Sequence, residues 1–320
     1  MNRGFSLGDR TLDHLRALVD APDVEGTRYE LIELVGRGGM GSVWRARDRL
    51  LERDVALKVL NLAEPEAAAA ADPAQGPRPA EVRGARIVQE AQVLARLEHP
   101  GIVPVHDAGV LPDGRAFACM KFVRGKRLDE LVSAGLSESE RLSIFSRIAE
   151  GVAFAHSRGV LHLDLKPANI MVGEFGEVLV LDWGLARLEH RPQKGVRAGT
   201  LGFMAPEQER AAADLDARAD VFALGRVLAS LELGGREIAA IVARATRERR
   251  EERYGSAMEL HSDVQAFLSN ERVRALREGP AARLARFGRK YRAALWLVGA
   301  YALMRVGFEL FRLWRESGNS

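Results

Sequence analysis

The sequence predicts an α+β fold of two lobes, a smaller sheet-rich lobe followed by a larger helical one, with a ligand cleft between them. Three observations carry this. Short apolar runs broken by glycines fill residues 29–60, helical periodicity dominates beyond Gly125, and 47% hydrophobic residues in a 320-residue chain suffice for a continuous core.

Ahead of the lobes, Leu12, Leu15, Leu18 and Val19 recur at helical spacing, so residues 1–28 read as a helical extension closing in a Pro-containing connector. Residues 29–60 read as a meander of three strands. Residues 61–84, with the stretch AEPEAAAAADPAQGPRP, are too rich in Ala and Pro to present an apolar face and read as a flexible insertion. A helix resumes near Glu81 on the stripe Ile87, Val88, Val93, Leu94 and Leu97, and Pro100 with Gly101 ends it. Strands at 103–110 and 115–123 flank the turn Pro112-Asp113-Gly114, which completes a small lobe over 29–122. In the large lobe, 125–268, Ser137 and Glu140 form a capping box for a helix to Ser157 that Gly159 stops. Helical patterns return at 218–233, 237–247 and 257–268.

Residues 269–292 form a basic linker, and 293–314 a hydrophobic helix interrupted by Arg305 and Glu309 at i,i+4 spacing. A spanning helix needs about 20 apolar residues, so this segment is a borderline span. It is a candidate membrane anchor, with the basic cluster on the cytoplasmic side of an inner membrane, or else a helix packed on a partner or on the chain itself. A net charge of +3 is too small to argue for nucleic acid as a partner. The single cysteine, Cys119, excludes an internal disulfide framework and fits a reducing compartment. The opening MNRGFSLGDR has no apolar core, so no secretory signal is expected. A cytoplasmic catalytic region is the expectation.

Chemistry concentrates in three stretches. Val35, Gly36, Gly38, Gly41 and Val43 form a G-x-G-x-x-G-x-V pattern between two predicted strands, where glycine lets the backbone approach phosphate oxygens. A tight hairpin also uses this pattern, and a dinucleotide fold would require a helix where 42–47 reads as strand. Further on, Val55-Ala56-Leu57-Lys58 ends a strand in a cation that can reach α- and β-phosphates, with Glu90 as the carboxylate to hold it. The third stretch is His162-Leu163-Asp164-Leu165-Lys166-Pro167-Ala168-Asn169, followed by Asp182-Trp183-Gly184. Asp164 can accept a hydroxyl proton, Asn169 and Asp182 offer hard oxygen ligands to Mg²⁺, and Lys166 can counter charge on a γ-phosphate. The alternative, an Asx-turn loop beside an unrelated turn, does not explain the order of the elements.

With these motifs in order over about 29–268, the chain resembles the bacterial, eukaryotic-like (Hanks-type) serine/threonine protein kinases. Ala205-Pro206-Glu207, Asp220 and Arg253 extend the likeness. It implies ATP and Mg²⁺ as cofactors, protein substrates bearing Ser or Thr, and a homodimer as a candidate assembly. It also implies that Glu207 pairs with Arg253, that Asp220 holds the catalytic-loop backbone, and that Thr200 positions that loop. The adenine would lie between Val43 and Ala56 above and Met171 below, read by hinge backbone from Lys121 to Val123, with Met120 behind it. His162 is expected to be structural, packed under Trp183.

The chain departs from that family in places. Leu163 stands where arginine usually clamps a phosphorylated activation loop, and the segment after Trp183 up to Gly199 has no Ser, Thr or Tyr. Together these imply activity independent of activation-loop phosphorylation. Trp183 replaces the commoner Phe, Lys121 stands where an acid is frequent, and the 231–237 connection is short. A non-catalytic scaffold of the same fold usually lacks one of Lys58, Glu90, Asp164, Asn169 or Asp182, and all five are present. A kinase acting on small molecules is disfavoured by Thr200 and the Ala205-Pro206-Glu207 region.

Overall fold

The computed structural model describes residues 21–38, 41–61, 97–183, 187–188, 199–276 and 292–317. The expected N-terminal helix, the insertion beyond residue 61, the helix carrying Glu90 and the linker from 277 to 291 lie outside the described residues.

The small lobe is an antiparallel sheet of β1 (Tyr29–Gly38), β2 (Gly41–Asp48), β3 (Arg53–Leu60), β4 (Val105–Val110) and β5 (Ala116–Lys121), in the order β1-β2-β3-β5-β4. Side chains alternate across a strand, so each strand offers one residue set to each face. Trp44, Ala46, Val55, Leu57, Val59, Phe117 and Cys119 build a core on one face with Tyr29 and Leu111. The register sets Val43 opposite Lys58, and Ala56 opposite Met120, on the other face. Gly41 pairs with Leu60, and a side-chain carbon there would run into the Val59 carbonyl. Close strand approach is therefore a second reason for this glycine, beside any approach to phosphate.

The large lobe continues with β6 (Gly125–Arg127), α1 (Leu128–Ser133), α2 (Glu138–Ser157), β7 (Val160–Leu161), β8 (Ile170–Gly173), β9 (Val178–Val180) and β10 (Arg187–Leu188). Then follow α3 (Pro206–Glu209), α4 (Ala217–Ser230), α5 (Arg236–Ala245), α6 (Ala257–Leu268) and α7 (Arg292–Ser317). The capping box opens α2: Ser137 Oγ accepts from the Glu140 N–H at 3.3 Å, and the Glu140 carboxylate accepts from the Ser137 N–H at 2.9 Å. Phe145, Ile148 and Val152 of α2 meet Leu224 and Leu228 of α4, Ile241 of α5, and Leu260 and Val264 of α6 in one core. Each such burial contributes roughly 1.5–3 kcal/mol, whereas exposed ion pairs contribute about 0–1 kcal/mol. Apolar packing, not surface charge, holds the helices.

Two expectations need correction. Strands do not end at the lobe boundary, because β6, β8 and β9 form a three-stranded sheet within the helical lobe. These strands are three or four residues long, too short to carry a readable alternation. The hydrophobic helix forms, as α7, but no helix among the described residues is long and apolar enough to cross a membrane. A spanning anchor therefore has no support there; Arg305 sits inside the apolar stretch.

Candidate active site

The sheet supplies one wall of the site. Val43, Ala56, Lys58 and Met120 share the sheet face opposite the small-lobe core, as period-two alternation dictates. Val35 occupies a register break between Leu34 and Gly36 and is 55% exposed, while Gly36 and Gly38 have open space on their side-chain side. Lys121 ends β5 with its N–H donating to the Pro104 carbonyl at 3.1 Å, and Val123 is buried two residues on. Met171 lies on β8, paired with Arg127 of β6.

The large lobe supplies the opposing wall. The Thr200 hydroxyl donates to Asp164 Oδ1 at 2.7 Å and accepts from Lys166 Nζ at 2.7 Å. Lys166 Nζ also lies 3.0 Å from Asp164 Oδ2. Asn169 Nδ2 donates to the Asp164 carbonyl at 2.8 Å and to Oδ2 at 3.2 Å. Those bonds occupy the amide N–H groups and leave Asn169 Oδ1 as the acceptor for other partners. Across the cleft, Lys58 Nζ reaches Asp182 Oδ1 at 2.8 Å. Partial burial raises the Asp182 pKa, but the Lys58 ammonium outweighs it and the carboxyl sits below its usual range. Glu90, the expected partner of Lys58, lies outside the described residues.

Backbone geometry around these groups is strained and heavily anchored. Leu163 and Asp182 have φ of 66° and 54°, a region costly for residues with a Cβ. The Leu163 N–H donates to Asp220 Oδ1 at 2.8 Å, and its carbonyl accepts from Gln208 Nε2 at 2.9 Å. Asp220 Oδ2 accepts from the His162 N–H and from His156 Nε2, both at 2.8 Å. Burial pushes Asp220 upward, yet the His156 bond and the other donors pull its pKa below the usual value.

His162 ties the two loops together. Its Nδ1 accepts from the Asp164 N–H at 3.2 Å and its Nε2 donates to the Leu181 carbonyl at 3.0 Å, which fixes one neutral tautomer. Burial lowers its pKa against the pull of Asp220. Its ring packs on Trp183 with centroids 4.5 Å apart, and the buried Trp183 indole donates to the Val180 carbonyl at 3.2 Å. A phenylalanine could not make that bond.

Further out, Arg253 is saturated. Its guanidinium holds both Glu207 oxygens at 2.6 and 2.8 Å and donates to the carbonyls of Arg247, Arg218 and Glu248. All five N–H groups are used, which pins α3 to the core. Sequence reading missed Gln208 and His156. Gln208 had a faint signal: its Oε1 accepts from the Ala205 N–H at 3.1 Å, a helix-start role for a glutamine just after Pro206 and Glu207. His156 had none, because a histidine on the last turn of a helix reads as solvated.

A sheet-rich lobe whose strand lysine Lys58 reaches Asp182 of a helical lobe, beside an Asp-Lys-Asn-Thr cluster, defines a two-lobed protein of the protein kinase fold. The chain belongs to the protein kinase domain family, whose model matches residues 29–271. It is 37% identical over 215 residues, 65% of this chain and 30% of that protein, to the DNA damage-responsive serine/threonine-protein kinase RqkA of Deinococcus radiodurans. It is also 37% identical over 217 residues, 65% of this chain and 32% of that protein, to the serine/threonine-protein kinase PknB of Mycolicibacterium smegmatis. The serine/threonine-protein kinase pkn3 of Myxococcus xanthus is 36% identical over 222 residues, 65% of this chain and 38% of that protein. The chain thus spans about a third of the length of these curated relatives.

Proposed function

We propose that this chain transfers the γ-phosphate of ATP to a serine or threonine hydroxyl of a protein substrate, with Mg²⁺. The observation that carries the reading is the single hydrogen-bonded cluster of Asp164, Lys166, Asn169 and Thr200, on the same lobe as Asp182, which Lys58 reaches from the other lobe. Asp164 accepts the substrate hydroxyl's proton and orients that oxygen, while Lys166 and Thr200 hold the carboxylate in place. Lys58 binds the α- and β-phosphates, supported by Glu90, beneath the backbone of Val35, Gly36, Gly38 and Gly41. Val43, Ala56 and Met171 enclose the adenine, and hinge backbone from Lys121 to Val123 reads its edge.

The donor set fits the metal. Among the described residues no three His, Cys, Asp or Glu side chains gather as a ligand cluster, and Mg²⁺ is typically held by one or two protein oxygens plus phosphates and water. Asn169 Oδ1 and Asp182 would supply those oxygens. The ion, when bound, neutralises charge developing on the phosphates.

Activity independent of activation-loop phosphorylation belongs to the same reading. Leu163 is buried in an apolar cluster with Leu161, Ala205, Leu215 and Ala219, where it has no means of reaching a phosphate. A cytoplasmic catalytic region belongs to the same reading, supported by the use of ATP and by Cys119 being an unpaired cysteine.

The test is incorporation of label from γ-labelled ATP into a generic protein acceptor. Wild type should transfer, and Asp164→Asn and Lys58→Met should fall to background. Equal incorporation by all three sinks the assignment. Loss of wild-type activity on phosphatase treatment, restored by phosphate on the loop, would sink the independence.

A further inference from the structure

Residues 199–205 lead into α3 as a closed turn, in which the Thr200 carbonyl accepts from the Phe203 and Met204 N–H groups, both at 3.1 Å. Leu201, next to Thr200, is 68% exposed, so the turn opens outward beside Asp164. Its two ends are held to the catalytic loop by different means. At the first end the Thr200 hydroxyl donates to Asp164 Oδ1 at 2.7 Å. Gly199, just before it, has a φ of 129° and lies so near the catalytic loop that an added Cβ would stand 3.1 Å from the Leu163 carbonyl oxygen. At the second end the link runs through one side chain. Gln208 Oε1 accepts from the Ala205 N–H at 3.1 Å, and Gln208 Nε2 donates to the Leu163 carbonyl at 2.9 Å. Arg226 Nε also donates to the Gly202 carbonyl at 2.7 Å, but that tie leads to α4 and not to the catalytic loop.

We propose that Gln208 is a positioning residue for phosphoryl transfer, a clip that sets the turn at 199–205 in register with Asp164. The proposal rests on the kinase reading above. Gln208 is 3% exposed, and burying an amide is costly unless both its ends are bonded. Leu163 and Ala205, the two residues it joins, belong to an apolar cluster that a leucine would extend without that cost. The glutamine therefore adds what packing cannot, a fixed direction and spacing between two loops. The Leu163 peptide is the junction. Its N–H is held by Asp220 and its carbonyl by Gln208, at a φ of 66°, one residue before Asp164. Without Gln208 the turn keeps its Thr200 end and loses its Ala205 end, so it pivots about the hydroxyl that orients the Asp164 carboxylate. The Lys58–Asp182 bond involves none of these groups, so nucleotide binding is left alone.

The test is steady-state transfer from γ-labelled ATP to a generic protein acceptor by the full chain, with Tm measured alongside. Gln208→Leu fills the same space without polar groups. Its kcat should fall roughly tenfold, the order of one or two lost hydrogen bonds, with KM for ATP unchanged. Tyr254→Phe is the control for stability alone, since it removes the buried bond from the Tyr254 hydroxyl to Asp263 Oδ2 at 2.9 Å and touches no bond of the catalytic loop. It should lower Tm and keep the wild-type kcat. Gln208→Glu keeps the shape, so it decides the matter even where Gln208→Leu is too unstable to assay. Its carboxylate can accept from the Ala205 N–H but cannot donate to the Leu163 carbonyl, and kcat should be low at neutral pH. On acidification the carboxyl takes up a proton and becomes a donor, so the ratio of variant to wild-type kcat should climb. Taking the ratio cancels the titration of Asp164, His162 and Asp220, which both proteins share. A role in packing alone predicts a flat ratio. A wild-type kcat in Gln208→Leu, a flat ratio in Gln208→Glu, or an equal loss of kcat in Tyr254→Phe would each overturn the proposal and leave the kinase reading standing. A wild type that transfers no label would overturn both.

Discussion

Asp220→Asn is the sharpest probe of how the catalytic loop is held. The side chain is fully buried and accepts three hydrogen bonds of 2.8 Å, from the backbone of His162 and Leu163 and from His156 Nε2. An amide keeps the shape but has one acceptor oxygen. Placed where Oδ2 stands, that oxygen can still serve His162 and His156, which turns the new NH₂ against the Leu163 N–H. One charge-assisted bond of roughly 1.5–3 kcal/mol is lost and a buried donor is orphaned, so a net cost of about 3 kcal/mol is expected. For a domain of this size that lowers Tm by roughly 6–12 °C. Activity should suffer as well, because the lost bond is one of two that keep Leu163 at a φ of 66°, next to Asp164. Release of about 1–2 kcal/mol of strain lowers the population of the competent loop by roughly tenfold, seen as a fall in kcat. The pH dependence has a definite sign. Since the folded Asp220 pKa is depressed, its contribution is complete above the unfolded carboxylate pKa of about 3.9 and is lost as pH falls through the folded value. The gap between wild type and variant should therefore close in acid. Calorimetry and initial rates measure both effects, and an Asp220→Asn protein with unchanged Tm and kcat would refute the reasoning.

Arg253→Lys should cost about 3–5 kcal/mol, since one ammonium cannot replace five donors and Glu207 is left half paired; chemical denaturation measures it, and a cost under 1 kcal/mol would show that the fork geometry is irrelevant. Trp183→Phe should cost roughly 1–3 kcal/mol from one lost bond and a small cavity. That is moderate because the Val180 carbonyl still accepts from the Val103 N–H at 3.3 Å; thermal unfolding is the check. His162 is held neutral, so protonation favours the unfolded chain below its pKa there of about 6.5, and wild-type stability should decline as pH falls past that point. His162→Gln should flatten the slope of Tm against pH in that window, and parallel slopes would count against a buried neutral imidazole.

What could be read from the sequence was what depends on residue type and order. Asp164, Asn169, Asp182 and Lys58 announce themselves because few roles demand those groups at those intervals, and β1 to β3 because glycines and a charged stretch break residues 29–60 into short apolar runs. The supports stayed hidden for a physical reason. Gln208 acts through one amide on a backbone carbonyl 45 residues away, and His156 through one nitrogen on a carboxylate 64 residues away. Such contacts have no local period. Strands β6, β8 and β9 escaped because they are shorter than any pattern. The φ of Leu163 is invisible in one dimension, for nothing about leucine suggests a left-handed backbone.

That same leucine links geometry to regulation. The catalytic loop needs a left-handed residue before Asp164 whatever its side chain, since the bonds that fix it come from the Leu163 backbone to Asp220 and Gln208. The side chain is thus released from the geometry and free to change task. An arginine there would have to leave the apolar cluster of Ala205, Leu215 and Ala219 and find an anion, whereas leucine fills the cluster and needs none. Among the described residues, His162 on Leu181 and Trp183 on Val180 add two further anchors. These anchors form without a phosphate, which supports the proposed independence of activation-loop phosphorylation.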